Sequence, residues 1–207
     1  MKIKKIDKDL EFLRQVSQEV NFKEDLTSEI EDLEKYVLET QGFAVAAIQL
    51  GYKNRVVYVR CSDYTKYDEE GHNEAEVLIN PVITNKEGLT TYWEACLSCM
   101  DNTAIVCRPY KIQLSYYDIN GNKKDKTIEG FPATVLSHEY DHLDGILHMD
   151  KALEVLLMNK DERKDFRKTY GYEVYEQKGK FEELVSDYDY DTNSKKLVKR
   201  IILNHKK

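Results

Sequence analysis

Residues 138–142 read His-Glu-Tyr-Asp-His, and this pentapeptide constrains the fold more than any other stretch of the chain. In a helix, residues four apart share one face, so both imidazoles can hold one metal ion while Glu139, one position on, reaches toward water at that ion. The flanking residues supply the helix. Pro132 suits a first turn, where its missing N–H would be unpaired anyway, and Gly145 suits the exit. The alternative is an ordinary helix in which two histidines and a glutamate fall at this spacing by chance. With five histidines in 207 residues, the motif alone leaves that open.

Two histidines leave a catalytic ion short of a third protein ligand. His148 is one candidate. Residues 138–148, HEYDHLDGILH, satisfy the HExxHxxGxxH pattern of metzincin peptidases, with Gly145 allowing the turn that brings a third histidine round. Cys96, in the run Glu94-Ala95-Cys96-Leu97-Ser98, is the other, and its thiolate would complete a Cys, His, His set with an open fourth position. A third arrangement takes Cys96 and Cys99 as a CxxC pair, either closing a structural zinc site with His138 and His142 or forming a redox couple. A closed site excludes water and leaves Glu139 and Gln49 without a task. Outside that arrangement, Cys61, Cys99 and Cys107 read as small core or strand residues.

Around the motif the pattern is mixed. Leu10, Leu13, Val16 and Val20 recur at helical spacing, as do Leu26, Ile30, Leu33, Val37 and Leu38, the second run with a Ser28–Glu31 capping box and a stop at Gly42. Val56 to Val59, Val77 to Thr84, Ile105 to Cys107 and Ile112 to Tyr117 favour strands, with a polar loop expected from Ser62 to Glu76. Asn120-Gly121 fits a type I′ hairpin turn. Beyond about Leu157 the chain is polar and tyrosine-rich, with acidic Asp187, Asp189 and Asp191 before a basic run, Lys195 to Lys207.

Composition excludes several functions. Lys and Arg number 31 against 38 Asp and Glu, a net charge of −7, which argues against a surface given over to duplex DNA. No window reaches the roughly 18 apolar residues that span a bilayer, so no membrane partner is expected. Charged Lys2, Lys4, Lys5, Asp7, Lys8 and Asp9 interrupt the start, so a secretory signal is not expected either. Four cysteines are too few for a disulfide framework, and the expected compartment is the cytoplasm.

Three separated segments resemble one family, in the right order. Gly42-Phe43-Ala44-Val45-Ala46-Ala47-Ile48-Gln49 is similar to its GxGxAAxQ motif, EACLS over 94–98 to EGCLS, and SHEYDH over 137–142 to QHExDH; the chain resembles peptide deformylase over roughly residues 25–155. The resemblance implies an α+β fold: N-terminal helices, antiparallel β-sheets around a central helix bearing the HExxH motif, and a catalytic domain over 1–157, which leaves 158–207 as a C-terminal extension, either docked or partly mobile. It favours Cys96 over His148 as third ligand, because a metzincin needs neither the cysteine motif nor the AAxQ segment. A deformylase homologue that binds metal and peptide without turnover is the remaining alternative.

By position, the resemblance implies that Cys96, His138 and His142 hold one divalent ion, Fe2+ natively, with Zn2+, Ni2+ or Co2+ able to replace it. Glu139 would move the proton, and the Gln49 amide and Leu97 N–H would steady the oxyanion formed from an N-terminal formyl group. Phe43, Tyr92, Glu94, Phe131, Thr134 and Val135 would line the pocket for methionine, and Gly42 and Ala44 would run beside the peptide backbone. The implied partners are N-formylmethionyl nascent peptides, with Lys195 to Lys207 facing the ribosome or, alternatively, forming an amphipathic helix packed on its own domain. Three positions depart from the motifs. Ala44 and Ala95 replace glycines, the first at a cost if positive φ is needed there, and Ser137 replaces a glutamine beside His138.

Overall fold

The computed structural model describes residues 2–60, 75–171, 174–184, 188–191 and 193–199. Cys61, Asp187, nearly all of the loop expected over 62–76 and the last part of the basic run lie outside them. Two helices open the chain, α1 (Ile6–Leu13) and α2 (Thr27–Thr40). Strands β1 (Ala44–Ala46), β2 (Val56–Val59) and β3 (Glu76–Glu87) follow, then β4 (Thr90–Ala95), β5 (Asn102–Arg108), β6 (Lys111–Tyr117) and β7 (Lys123–Glu129). Helix α3 (Phe131–Leu143) carries the HExxH motif, and β8 (Ala152–Leu157), α4 (Lys160–Tyr170), β9 (Tyr188–Asp191) and β10 (Lys196–Lys199) complete the order.

All pairing between these strands is antiparallel: a five-stranded sheet in the order β1-β2-β3-β6-β7, a three-stranded sheet β4-β5-β8, and the β9–β10 hairpin. Alternation along β2 shows how the larger sheet is covered. Val57 and Val59 join Leu78, Ile112, Leu114, Ala133, Leu136 and Leu143 in a core against α3. Val56 and Tyr58 join Leu33, Val37 and Val45 in a second core under α2. Both faces of β2 are therefore buried, which is why the run VVYV is apolar throughout.

Several expectations change. The first helix stops at Leu13, so Val16 and Val20 are not on it. The next backbone N–H groups go elsewhere, Ser17 to the Leu143 carbonyl (2.8 Å) and Gln18 to Lys53 (2.7 Å). Ser28 and Glu31 form no capping box, because α2 already starts at Thr27, whose N–H and hydroxyl are taken by the Asp25 carboxylate. Its stop is a Schellman turn with Gln41 in the left-handed region (φ 55°) and the Gly42 N–H on the Val37 carbonyl (3.0 Å). At the β6–β7 turn only Gly121 has positive φ (77°). The loop spans residues 118–122, closed by the Gly121 N–H on the Asp118 carbonyl (2.9 Å), and is not a two-residue type I′ turn. Lys196–Lys199 forms a strand paired with β9, not part of an amphipathic helix.

Candidate active site

Helix α3 enters from Gly130 (φ 71°), with Pro132 in its first turn as the sequence predicts. It is buried on nearly every side, including the polar Ser137, His138, Glu139, Asp141 and His142. A polar helix can occupy the interior only if its groups are partnered there. The partners come from the three-stranded sheet. His138 Nδ1 meets Glu94 Oε2 at 2.8 Å, and the Arg108 guanidinium grips the same carboxylate at 2.6 and 2.8 Å while also reaching Asp141. Lys151 completes the network on the other Asp141 oxygen (2.6 Å). Burial works against ionising Glu94, but Arg108 overrides it and holds the carboxyl far below the usual carboxylate range. An ionised Glu94 fixes the His138 ring and leaves Nε2 as the nitrogen available to an ion.

β4 ends at Ala95, Cys96 follows it, and one 3-10 turn (Leu97–Cys99) comes next. That turn faces α3: Cys96 Sγ lies 3.2 Å from His142 Nε2, and the ligand atoms of Cys96, His138 and His142 all lie within 4.8 Å of one another. Burial raises the Cys96 thiol pKa, yet the Cys99 thiol and the two imidazoles outweigh it and hold the sulfur well below its ordinary value. A thiolate and two imidazoles are the donor set of an open tetrahedral site. The chemistry of the site therefore fits a divalent ion.

Gln49 is anchored by Ala46, whose N–H donates to Oε1 (3.0 Å), and its Nε2 donates to Ser98 Oγ (3.1 Å) and toward Cys96 Sγ (3.5 Å). Glu139 is buried beside His138; burial, ahead of every other cause, raises its pKa above the ordinary glutamate value, and Oε2 has no hydrogen-bond partner. Such a carboxylate holds a proton more readily than a solvated one.

Phe131 stands between Phe43 and Tyr92, with ring centroids 5.4 and 5.1 Å apart in edge-on contacts, so three of the expected pocket residues are brought together. Ala44 opens β1, the edge strand of the larger sheet, and Gly42 lies two residues before it. Ala44 does not adopt positive φ and so carries no strain of the kind a replaced glycine can bring. Thr134 turns its hydroxyl onto the Phe131 carbonyl (2.7 Å), and Val135 is half-buried on the same helix. Glu94 corrects the expectation: its carboxylate is spent on Arg108 and His138, and it shapes the site by holding a ring rather than by lining an apolar slot. The Ser137 hydroxyl bonds back to the Ala133 carbonyl (2.7 Å).

The sequence reading missed Arg108, Asp141 and Lys151. Asp141 lies three residues after His138, a spacing that could have singled it out. Arg108 offers no such signal, because its partners are 14 and 33 residues away. Cys99 and His148 also lie against the cluster, forming a second close group with Cys96.

An HExxH helix buried within antiparallel sheets and facing a cysteine turn defines the class, a metal-dependent hydrolase. A family model described as polypeptide deformylase matches residues 1–157. The chain belongs to that family. A peptide deformylase of Pelagibacter ubique is 35% identical over 140 residues, 67% of this chain and 78% of that one. The crystal structure of a probable peptide deformylase from Synechococcus phage S-SSM7 is 34% identical, with a TM-score of 0.63, covering 73% of this chain and 99% of that one. A Met-Ala-Ser-bound class I type b peptide deformylase from Acinetobacter baumannii is 25% identical, with a TM-score of 0.64, covering 73% and 97%. The metzincin and inactive-homologue readings are not favoured. No helix among the described residues is long and apolar enough to cross a membrane.

Proposed function

We propose that Cys96, His138 and His142 hold the family's metal in this chain and that Glu139, Gln49 and Leu97 carry out deformylation of formyl-methionyl nascent peptides in the cytoplasm. The convergence of three ligand atoms within 4.8 Å beside a buried glutamate is the observation that supports this most. An ion held there, Fe2+ by the family resemblance and Zn2+, Ni2+ or Co2+ by donor chemistry, supplies the positive charge that acidifies water and polarises the formyl carbonyl.

The chain's own residues supply the rest. Glu139 takes a proton from the attacking water as its oxygen bonds to the formyl carbon. The Gln49 Nε2–H and the Leu97 N–H donate to the formyl oxygen as it gains charge. Glu139 then returns the proton to the amide nitrogen as the C–N bond breaks, leaving formate and a free methionyl amine. Phe43, Tyr92 and Phe131, with Thr134 and Val135 behind them on α3, take the methionine side chain, which suits an aromatic slot. The peptide backbone pairs along the open edge of β1 at Gly42 and Ala44, so recognition beyond methionine leans on main-chain hydrogen bonds. The basic run Lys195–Lys207 is the surface a ribosomal RNA contact would use, and ribosome co-sedimentation of the chain with and without it tests that contact.

The test of the function is formate release from formyl-Met-Ala-Ser by protein loaded anaerobically with Fe2+ or Ni2+. Formate and free Met-Ala-Ser are expected, with loss of turnover on chelation. Cleavage of an internal peptide bond, or no formate from folded, metal-loaded protein, contradicts the proposal.

A further inference from the structure

Neither Cys99 nor His148 touches the reacting atoms in the reaction above, yet both are fully buried beside Cys96. The 3-10 turn is closed by the Cys99 N–H on the Cys96 carbonyl (3.0 Å), which brings the second sulfur back beside the first. His148 opens the 3-10 turn that follows Leu147, and its Nε2 lies 3.3 Å from the Asn102 carbonyl oxygen. A proton on Nε2 satisfies that carbonyl and leaves the lone pair on Nδ1, which is buried without a partner. Metal-ligating histidines are usually held in this way, the second ring nitrogen tied to a backbone carbonyl. The Asn102 side chain donates to the Cys99 carbonyl (2.8 Å), so one residue positions both newcomers. The ligand atoms of Cys96, Cys99 and His148 lie within 4.8 Å of one another.

We propose that Cys96, Cys99 and His148 form a second metal position, competing with the Cys96, His138, His142 set for the shared sulfur. Two thiolates and one imidazole make a softer set than one thiolate and two imidazoles, so this position favours Zn2+ over Fe2+. Binding releases the Cys99 thiol proton to solvent and draws Cys96 away from the first set. Excess zinc therefore inhibits turnover by occupying a defined site. The competition rests on the assignment of Cys96 under Proposed function; the existence of the second position does not.

The experiment measures zinc retained after gel filtration of the His138→Ala chain, by elemental analysis. About one zinc per chain is expected to remain. Adding Cys99→Val or His148→Phe, apolar replacements suited to a buried apolar cluster, is expected to weaken retention by more than the roughly tenfold that loss of an outer-shell partner causes. Sulfur-to-cobalt charge-transfer absorption of the Co2+-loaded His138→Ala chain is expected to fall in the Cys99→Val background. In the otherwise unaltered chain, His148→Phe is expected to keep nickel-supported formate release while raising the zinc concentration that halves it at least about tenfold. No zinc retained by His138→Ala, retention indifferent to both replacements, or zinc inhibition indifferent to His148→Phe overturns the second position. Absence of formate release from the nickel-loaded unaltered chain defeats the functional reading instead, and the retention series still decides this one.

Discussion

Arg108 decides whether the ligand cluster keeps its shape. Its side chain is 2% exposed and faces two carboxylates, Glu94 and Asp141, with Lys151 supplying the balancing charge. Removing the guanidinium strands buried negative charge, and the desolvation cost then outweighs any gain from the apolar replacement. Arg108→Met should therefore lower stability by about 3–5 kcal/mol in a denaturant titration, with His138 losing its fixed orientation and the chain losing metal. Acid should act through the same neighbourhood. Burial pushes His148 down to about 4 from 6.5, and Arg108 overcomes burial to depress Glu94 below 4.5. Both folded-state values lie below the unfolded ones, so the unfolded chain binds more protons. The stability these two groups contribute is fully present above about pH 6.5 and falls with pH, first through His148 and then, below 4.5, through Glu94. With a chelator present, His148→Phe should flatten the loss of unfolding midpoint between pH 6.5 and 4 and leave the loss below it. At this scale the sequence showed the two histidines and the glutamate that the fold places together, because HExxH encodes a helical face, and hid Arg108, whose partners only the fold assembles.

Helix α3 was the most legible element, since Pro132 and Gly145 mark its two ends chemically. Gly145 has φ 70°, and a Cβ there would stand 2.3 Å from the Arg14 backbone oxygen. Both a strained backbone and a backbone clash follow, so Gly145→Ala should cost about 1–3 kcal/mol or more, read as a lowered unfolding midpoint. The same loop is held by Arg14, whose Nη2 donates to Asp150 Oδ1 (2.8 Å). The first helix was read too long because Val16 and Val20 keep helical spacing. Competing carbonyls at Leu143 and Lys53 capture that backbone, and spacing cannot report them. Strand β4 went unread for a related reason: Thr90–Ala95 has only a mixed burial pattern, and its place is set by β5 alongside.

Across the whole molecule, the family match ends at residue 157, but the chain continues against the same scaffold. Arg167 on α4 stacks over the Tyr92 ring at 4.6 Å and donates to the Trp93 carbonyl (2.6 Å), while Phe166 packs edge-on against Trp93. Further on, the Gln177 N–H reaches the Leu89 carbonyl (2.7 Å) and Glu183 pairs with Lys151. These contacts bring the extension beside strand β4, which leads into Cys96. None was read from the sequence, although α4, a highly charged stretch, opens with Asn159 and Glu162 at the spacing of the capping box they form. The catalytic assignment itself is tested most directly by one substitution, Glu139→Gln, with bound metal and formate release measured on the same sample. Metal content should stay at the level of the unaltered chain while turnover of formyl-Met-Ala-Ser falls about 10²- to 10⁴-fold. Retained turnover, or a loss of metal that accounts for the lost activity, would contradict Glu139 as the residue that moves the proton.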